Sequence, residues 1–270
     1  MYPYIEIFGK TISSYTIMAL IGGLAVALFT FIQCRRKKIN GDDAMYFVIF
    51  AMGGLVIGAM ILYQIVEMKN TIKLLPYLFK DIKYFLSNMS IGLVFYGGLY
   101  GALIGVFAYA RYFKQDVREM FFYLTPAIPL FHIFGRIGCF LSGCCHGMKS
   151  EKYGIAFSDA ISAVNGIPYL PVPLYEAAGD LVIFVILLFL GYRKEKQYFK
   201  PLGIYLVLYG IMRFVLEFFR GDEVRGALGF FSTSQWISMV TIPLGIYMLV
   251  CKTEKNFLAK AYNQVVISKQ

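Results

Sequence analysis

Seven apolar runs, each long enough to cross a bilayer, constrain this chain more than any other feature. They fall at roughly 11–33, 44–66, 89–110, 119–140, 171–191, 202–219 and 234–251. A hydrocarbon core about 30 Å thick takes roughly 20 helical residues to cross. Backbone in lipid must also satisfy its own hydrogen bonds, which leaves helices or closed barrels. Barrel strands are short and alternate in polarity, and these runs do neither. With 59% hydrophobic residues, 17% aromatics and a mean hydropathy of +0.63, the 270-residue chain has too few charges to cover a soluble globule. The sequence predicts an all-α polytopic helix bundle of about seven transmembrane helices. No linker or internal repeat divides it, so residues 1–270 read as a single integral membrane domain.

The charges between the runs set an orientation. Arg35-Arg36-Lys37-Lys38, then Arg111, Lys114 and Arg118, then Arg193, Lys194, Lys196 and Lys200, and the tail from Lys252 all fall on one side. The positive-inside rule makes that side cytoplasmic, with the N-terminus out and the C-terminus in. Lys69, Lys73, Lys80 and Lys83 alternate with Ile72, Leu75, Leu78, Phe79 and Ile82, which reads as an amphipathic helix on the outer lipid surface. The formal charge of +10 is accounted for by these juxtamembrane groups, so nucleic acid is not an expected partner. The opening Met1-Tyr2-Pro3-Tyr4-Ile5-Glu6 lacks the basic region and cleavage site of a signal peptide, and the first run is expected to be retained.

Orientation gives each polar residue inside a run a depth, and the polar residues collect at one level. Tyr15, Tyr96 before Gly97-Gly98, Arg136, Tyr175-Glu176, Arg213, Glu217 and Gln235 all fall in the outer third of the bilayer, at a helical rise of about 1.5 Å per residue. Arg213, Glu217 and Arg220 share one helical face, with Tyr209 a turn earlier. Two readings stand for Glu217: a structural ion pair with Arg213, or part of a functional interior. Arg220 either joins that stripe or snorkels to the headgroups. Arg136 and Arg213 are the more informative pair, because two guanidiniums at outer-leaflet depth can grip one phosphate bidentately. The phosphate available at that depth belongs to a phospholipid.

The stretch Gly135 to Gly147 packs four glycines, three cysteines, Arg136 and His146 into the end of an apolar run. Glycine permits close backbone approach, and the stretch reads as the floor of a site. Cys139 suits a small apolar filler. Cys144-Cys145-His146 is open to two readings, a reactive thiol or a soft-metal site with three visible ligands. Adjacent cysteines rarely make a relaxed disulfide, and no pair has zinc-ribbon spacing. Cys34 and Cys251 sit at membrane ends as interfacial thiols. His132 reads as a hydrogen-bonded core residue, His146 as a candidate acid or base, and Asp222 and Glu223 as a solvated loop.

These motifs resemble a known family. The run from Gly135-Arg136-Ile137-Gly138 to Gly147 is similar to the signature of bacterial prolipoprotein diacylglyceryl transferases. Pro171 with Leu174-Tyr175-Glu176 resembles the next motif, and Tyr209-Gly210 through Arg213 to Arg220 resembles the third. Tyr15, Gly97-Gly98 and Gln235 fall at further motif positions, so the resemblance spans almost the whole chain. It implies transfer of the diacylglyceryl group of phosphatidylglycerol to the lipobox cysteine of a preprolipoprotein, at the outer leaflet of the bacterial cytoplasmic membrane. Glycerol phosphate is released, and neither cofactor nor metal is needed. It further implies that Arg136 and Arg213 hold the phosphate, Glu217 orients Arg213, and Tyr15 and Tyr175 line the headgroup or peptide pocket. Gly97, Gly98, Cys139, Gly147, Glu176, Arg220 and Gln235 complete the binding region.

The chain departs from the family pattern where a thiol base is expected. Tyr96 replaces a histidine, Cys139 an asparagine, Cys144 an acidic residue, and Leu170 and Pro173 a histidine and a glutamine. A free phenol, with a pKa near 10, is a poor base at neutral pH. The chain could therefore activate the acceptor thiol through its cationic site, or serve an altered substrate. The other readings are a non-catalytic subunit binding anionic phospholipid, a thiol-redox membrane protein using Cys144 and Cys145, and a transporter.

Overall fold

A Ser13 side chain starts the first long helix and a left-handed residue stops it. Ser13 Oγ accepts from the Thr16 amide at 3.2 Å, and Lys38, at φ 56°, donates its amide to the Cys34 carbonyl. The helix, α1, therefore runs Ser14–Lys37, and the residues before Ser14 that were expected to begin the span form an antiparallel hairpin, β1 (Tyr4–Ile7) with β2 (Lys10–Ser13). The structure, a computed structural model, describes residues 3–7, 10–81, 84, 95–114, 116–161, 163–190, 200–221, 227–228 and 230–250. It contains two compact units, one made of the described residues up to Lys38 and from Arg118 on, the other lying within Ile39–Val117.

The second unit holds α2 (Gly41–Val66), α3 (Met68–Lys80) and α4 (Phe95–Phe113). Its packing depends on small residues. Gly54 and Gly58 of α2 meet Gly97, Gly101 and Gly105 of α4 so closely that a Cβ on Gly101 would lie 2.1 Å from the Gly54 carbonyl oxygen. Gly101→Val should destabilise this unit by about 3 kcal/mol or more. Thermal unfolding in detergent checks this, with Gly53→Val, which meets nothing within 4 Å, expected to match the parent. The helix α3 covers the first part of the expected amphipathic segment; residues 82, 83 and 85–88 lie outside the described residues.

The first unit continues with α5 (Arg118–Leu124), α6 (Ala127–Leu141), β3 (Ile155–Ala156), β4 (Pro168–Tyr169), α7 (Val172–Leu190) and α8 (Lys200–Leu216). A 3-10 turn at Glu217–Phe219, strands β5 (Ala227–Leu228) and β6 (Phe231–Ser232), and α9 (Thr233–Val250) follow. The run expected as one straight span at 119–140 is bent by 43° between α5 and α6. Pro126 lacks an amide hydrogen, and the Thr125 hydroxyl turns back to the Phe121 carbonyl at the break. Among the described residues, five helices are long and apolar enough to cross a membrane, and the bent pair makes a sixth. The remaining expected span, 89–110, begins outside the described residues and continues as α4.

Burial in α1 is inverted relative to a soluble helix. Leu20, Leu24, Leu28 and Phe31 share a face and are 54–72% exposed. In the same unit Glu176, Asp180, Arg213 and Glu217 are buried. An apolar exterior around a charged interior suits lipid as solvent, and the protein is a multi-pass membrane protein.

The α6–α7 connection is a folded element and not a loose loop. Phe157, Ala163 and Tyr169 form its own small core with Phe140, Ala160 and Ile167. Backbone bonds tie it to the end of α8, with the Met148 amide on the Phe219 carbonyl at 2.8 Å and the Gly221 amide on the His146 carbonyl at 3.2 Å. The ends of α6, α7 and α8 are thereby held together.

Candidate active site

Glu176, in the second turn of α7 and 1% exposed, joins the two arginines. Arg213 donates from Nη1 to its Oε1. Arg136 Nε lies 2.7 Å from its Oε2, an ion pair without aligned hydrogen-bond geometry. Arg213 Nη2 also lies 3.0 Å from Glu217 Oε2 and donates to Ser234 Oγ at 3.1 Å. Two guanidiniums and two carboxylates thus cancel formally in a buried cluster, since an unpaired charge there costs several kcal/mol. Arg213 is the more heavily committed of the two. Arg136 pairs through Nε, and its terminal nitrogens make no hydrogen bond among the described residues. The site can therefore present a guanidinium fork to a second anion while Glu176 keeps it in place.

Glu176 was expected in the binding region, and its bridging position is new. Glu217 does pair with Arg213, but Glu176 is the carboxylate that both arginines share.

The model of the prolipoprotein diacylglyceryl transferase family matches residues 3–251. The chain belongs to this family. A phosphatidylglycerol–prolipoprotein diacylglyceryl transferase of Clostridium tetani is 33% identical over 244 residues, covering 90% of this chain and 94% of that relative. One from Clostridium perfringens, numbered 2, is 32% identical over 90% of this chain and 92% of its own length. One from a Janthinobacterium strain is 31% identical over 82% of this chain and 80% of its own.

Within this member of the transferase family, the other expected site residues separate by what they touch. Tyr15, in the first turn of α1, and Tyr175, beside Glu176, are each more than 40% exposed. Gly138 of α6 lets α1 approach, because a Cβ there would sit 3.2 Å from Tyr15 Cα. Arg220 is only 8% exposed and does not snorkel; it forms a backbone bridge with Gly147. Gly147 is closely surrounded, a Cβ there meeting Leu170, Val172 and the Phe219 carbonyl at 2.7–2.8 Å. Gln235 closes a capping box on α9: its Oε1 accepts from the Ser232 amide at 3.0 Å, while its own amide donates to Ser232 Oγ at 3.2 Å. The Ser232-x-x-Gln235 spacing carried that signal.

Gly97 and Gly98 lie in the second unit, against Gly58 and Leu55 of α2. The Tyr96 side chain, and Asp222 and Glu223 as a whole, fall outside the described residues. His146 is buried with Nδ1 3.0 Å from the Gly147 carbonyl and its ring 4.2 Å from that of Tyr169. Cys139 is buried at the end of α6, and the sulfurs of Cys139, Cys144 and Cys145 lie within 4.8 Å of one another. In that group the Cys145 thiol is pulled below its ordinary range, first by hydrogen bonds with Cys139 and Cys144 and then by Arg136 and Arg220. Cys144, the donor in the same network, is pushed up.

Sequence reasoning missed Asp180. It lies one turn along α7 from Glu176, is fully buried, and neither of its oxygens has a hydrogen bond among the described residues. His132 Nδ1 is 3.9 Å from it and 3.3 Å from the Tyr205 hydroxyl, and its ring packs on Tyr209. His132 is therefore hydrogen-bonded in the core, as expected. An acid four residues after Glu176 inside an apolar run was the available signal.

Proposed function

We propose that this chain transfers the diacylglyceryl group of phosphatidylglycerol to the thiol of a lipobox cysteine in a preprolipoprotein and releases glycerol phosphate. The observation that carries the reading is the buried Arg136–Glu176–Arg213–Glu217 cluster, in which Arg136 keeps terminal donors for a phosphate. Family membership supports the reading, as do the names of its relatives. Arg136 binds the lipid phosphate, and charge developing on the departing glycerol phosphate is stabilised by donors already in place. Arg213 holds Glu176 and Glu217 in register and adds its positive field. Tyr15 and Tyr175 flank the headgroup or the peptide. The reaction takes place in the bacterial cytoplasmic membrane, at outer-leaflet depth, with the chain acting as one membrane domain.

Purified protein, phosphatidylglycerol and a lipobox peptide test this together. The expected product is a peptide heavier by one diacylglyceryl group, formed with an equal amount of glycerol phosphate. Lipid bound without release, across a panel of lipobox peptides, would move the chain to a phospholipid-binding role.

A further inference from the structure

A second polar layer lies beside the arginine cluster, one helical turn further from the joined ends of α6, α7 and α8. His132 stands four residues before Arg136 on α6, Asp180 four after Glu176 on α7, and Tyr209 four before Arg213 on α8. Four helical residues rise about 6 Å and return to the same face. The three helices therefore repeat their polar positions once, and the second set is an imidazole, a carboxylate and a phenol.

Asp180 is the member that the arginine cluster does not account for. Its side chain is 0% exposed, and neither oxygen has a hydrogen bond among the described residues. A buried carboxylate left in this way costs several kcal/mol, and catalytic work is one reason for a fold to keep one. His132 Nδ1 lies 3.9 Å from Asp180 Oδ1, within ion-pair range, and 3.3 Å from the Tyr205 hydroxyl. The imidazole packs on Tyr209 with ring centroids 5.2 Å apart, and Tyr205 stacks on Tyr209 at 5.4 Å, so two phenols fix its orientation. Tyr209 in turn lies within the electrostatic field of Arg136, Arg213, Glu176 and Asp180. A proton taken up by the His132 ring gives Asp180 the counter-charge it lacks, which is the logic of a base with an orienting carboxylate behind it. Asp180 is closed to a substrate, whereas the His132 side chain keeps 12% of its surface accessible.

We propose that His132 is the base that takes the proton of the acceptor cysteine, with Asp180 as the positioning residue that holds the ring and balances its charge. The assignment rests on the transfer activity proposed above. In a phospholipid the glyceryl carbon lies on the acyl-chain side of the phosphate, and a displacing sulfur approaches that carbon opposite the departing oxygen. A phosphate held by Arg136 therefore places the thiol toward the second layer. The S–H bond breaks as its proton passes to His132, the sulfur bonds to the glyceryl carbon, and the electron pair of the breaking carbon–oxygen bond leaves with glycerol phosphate. The released monoester carries one more proton than the diester it came from, and the imidazolium returns it. The reaction then has a base although Tyr96 stands at the histidine position of the family pattern.

The test compares single-turnover transfer from phosphatidylglycerol to two lipobox peptides, one with cysteine and one with selenocysteine as acceptor, using the full chain in detergent under reducing conditions. A selenol is already ionised at neutral pH and needs no base. His132→Gln should slow transfer to the cysteine peptide by about a hundredfold and leave transfer to the selenocysteine peptide within a few-fold of wild type. Asp180→Asn should show the same selectivity with a smaller loss, and Arg136→Ala should lose both peptides alike. Parental cysteine transfer by His132→Gln would overturn the assignment. Equal losses on the two peptides would make His132 a packing residue and overturn it as well. Thermal unfolding shows whether His132→Gln folds, and where it does not, Asp180→Asn decides by the same comparison. A wild type inert toward both peptides would instead reject the transfer activity, and the base with it.

Discussion

Glu176→Ala is expected to lower the stability of the first unit by about 3–5 kcal/mol and to abolish transfer. The alanine leaves the buried Arg213 guanidinium and the partly buried Arg136 guanidinium facing each other without the carboxylate they share, and only Arg213 has a second carboxylate to turn to. Glu176→Gln separates charge from shape. The amide can still accept from Arg213, but it cannot neutralise the pair, so it should recover part of the thermal stability in detergent and little activity. Both variants retaining parental melting temperature and rate would show that Glu176 is not what holds the arginines.

Arg136→Ala is expected to reduce diacylglyceryl transfer by at least about a hundredfold, or about 3 kcal/mol. Its effect on folding should be smaller than that of Glu176→Ala, because Glu176 keeps Arg213 as a partner. Arg136→Lys decides what the arginine contributes. Lysine preserves the charge and loses the planar fork, so a lysine variant as inactive as the alanine one would mean that bidentate geometry carries the effect. Single-turnover release of glycerol phosphate measures both. Parental rates in Arg136→Ala would reject Arg136 as the phosphate ligand.

The two experiments separate roles that a sequence reading assigns together. Arg136 and Arg213 look equivalent as cations at one depth, yet one has uncommitted terminal donors and the other is enclosed by Glu176, Glu217 and Ser234. Gln235 has its carbonyl occupied in capping α9, and Gly97 lies where α4 meets α2 closely.

Membrane residence, the helical class and most helix positions were determined by the sequence alone, which also predicts one depth for Arg136, Glu176, Arg213 and Glu217. Hydropathy over 20 or so residues and the helical rise are local quantities, so they can be read along one chain. The bend at Pro126 was legible in principle, since the missing amide is also local. The tertiary structure decided which groups at that depth touch. Glu176 bridges two arginines because α6, α7 and α8 meet with particular faces turned inward, and the rotation of one helix against another depends on how all their side chains pack. Asp180 lies beside His132 for the same reason. The convergence of Cys139, Cys144 and Cys145 required a left-handed turn held by a distant part of its own loop, an interaction that spacing along the chain does not encode.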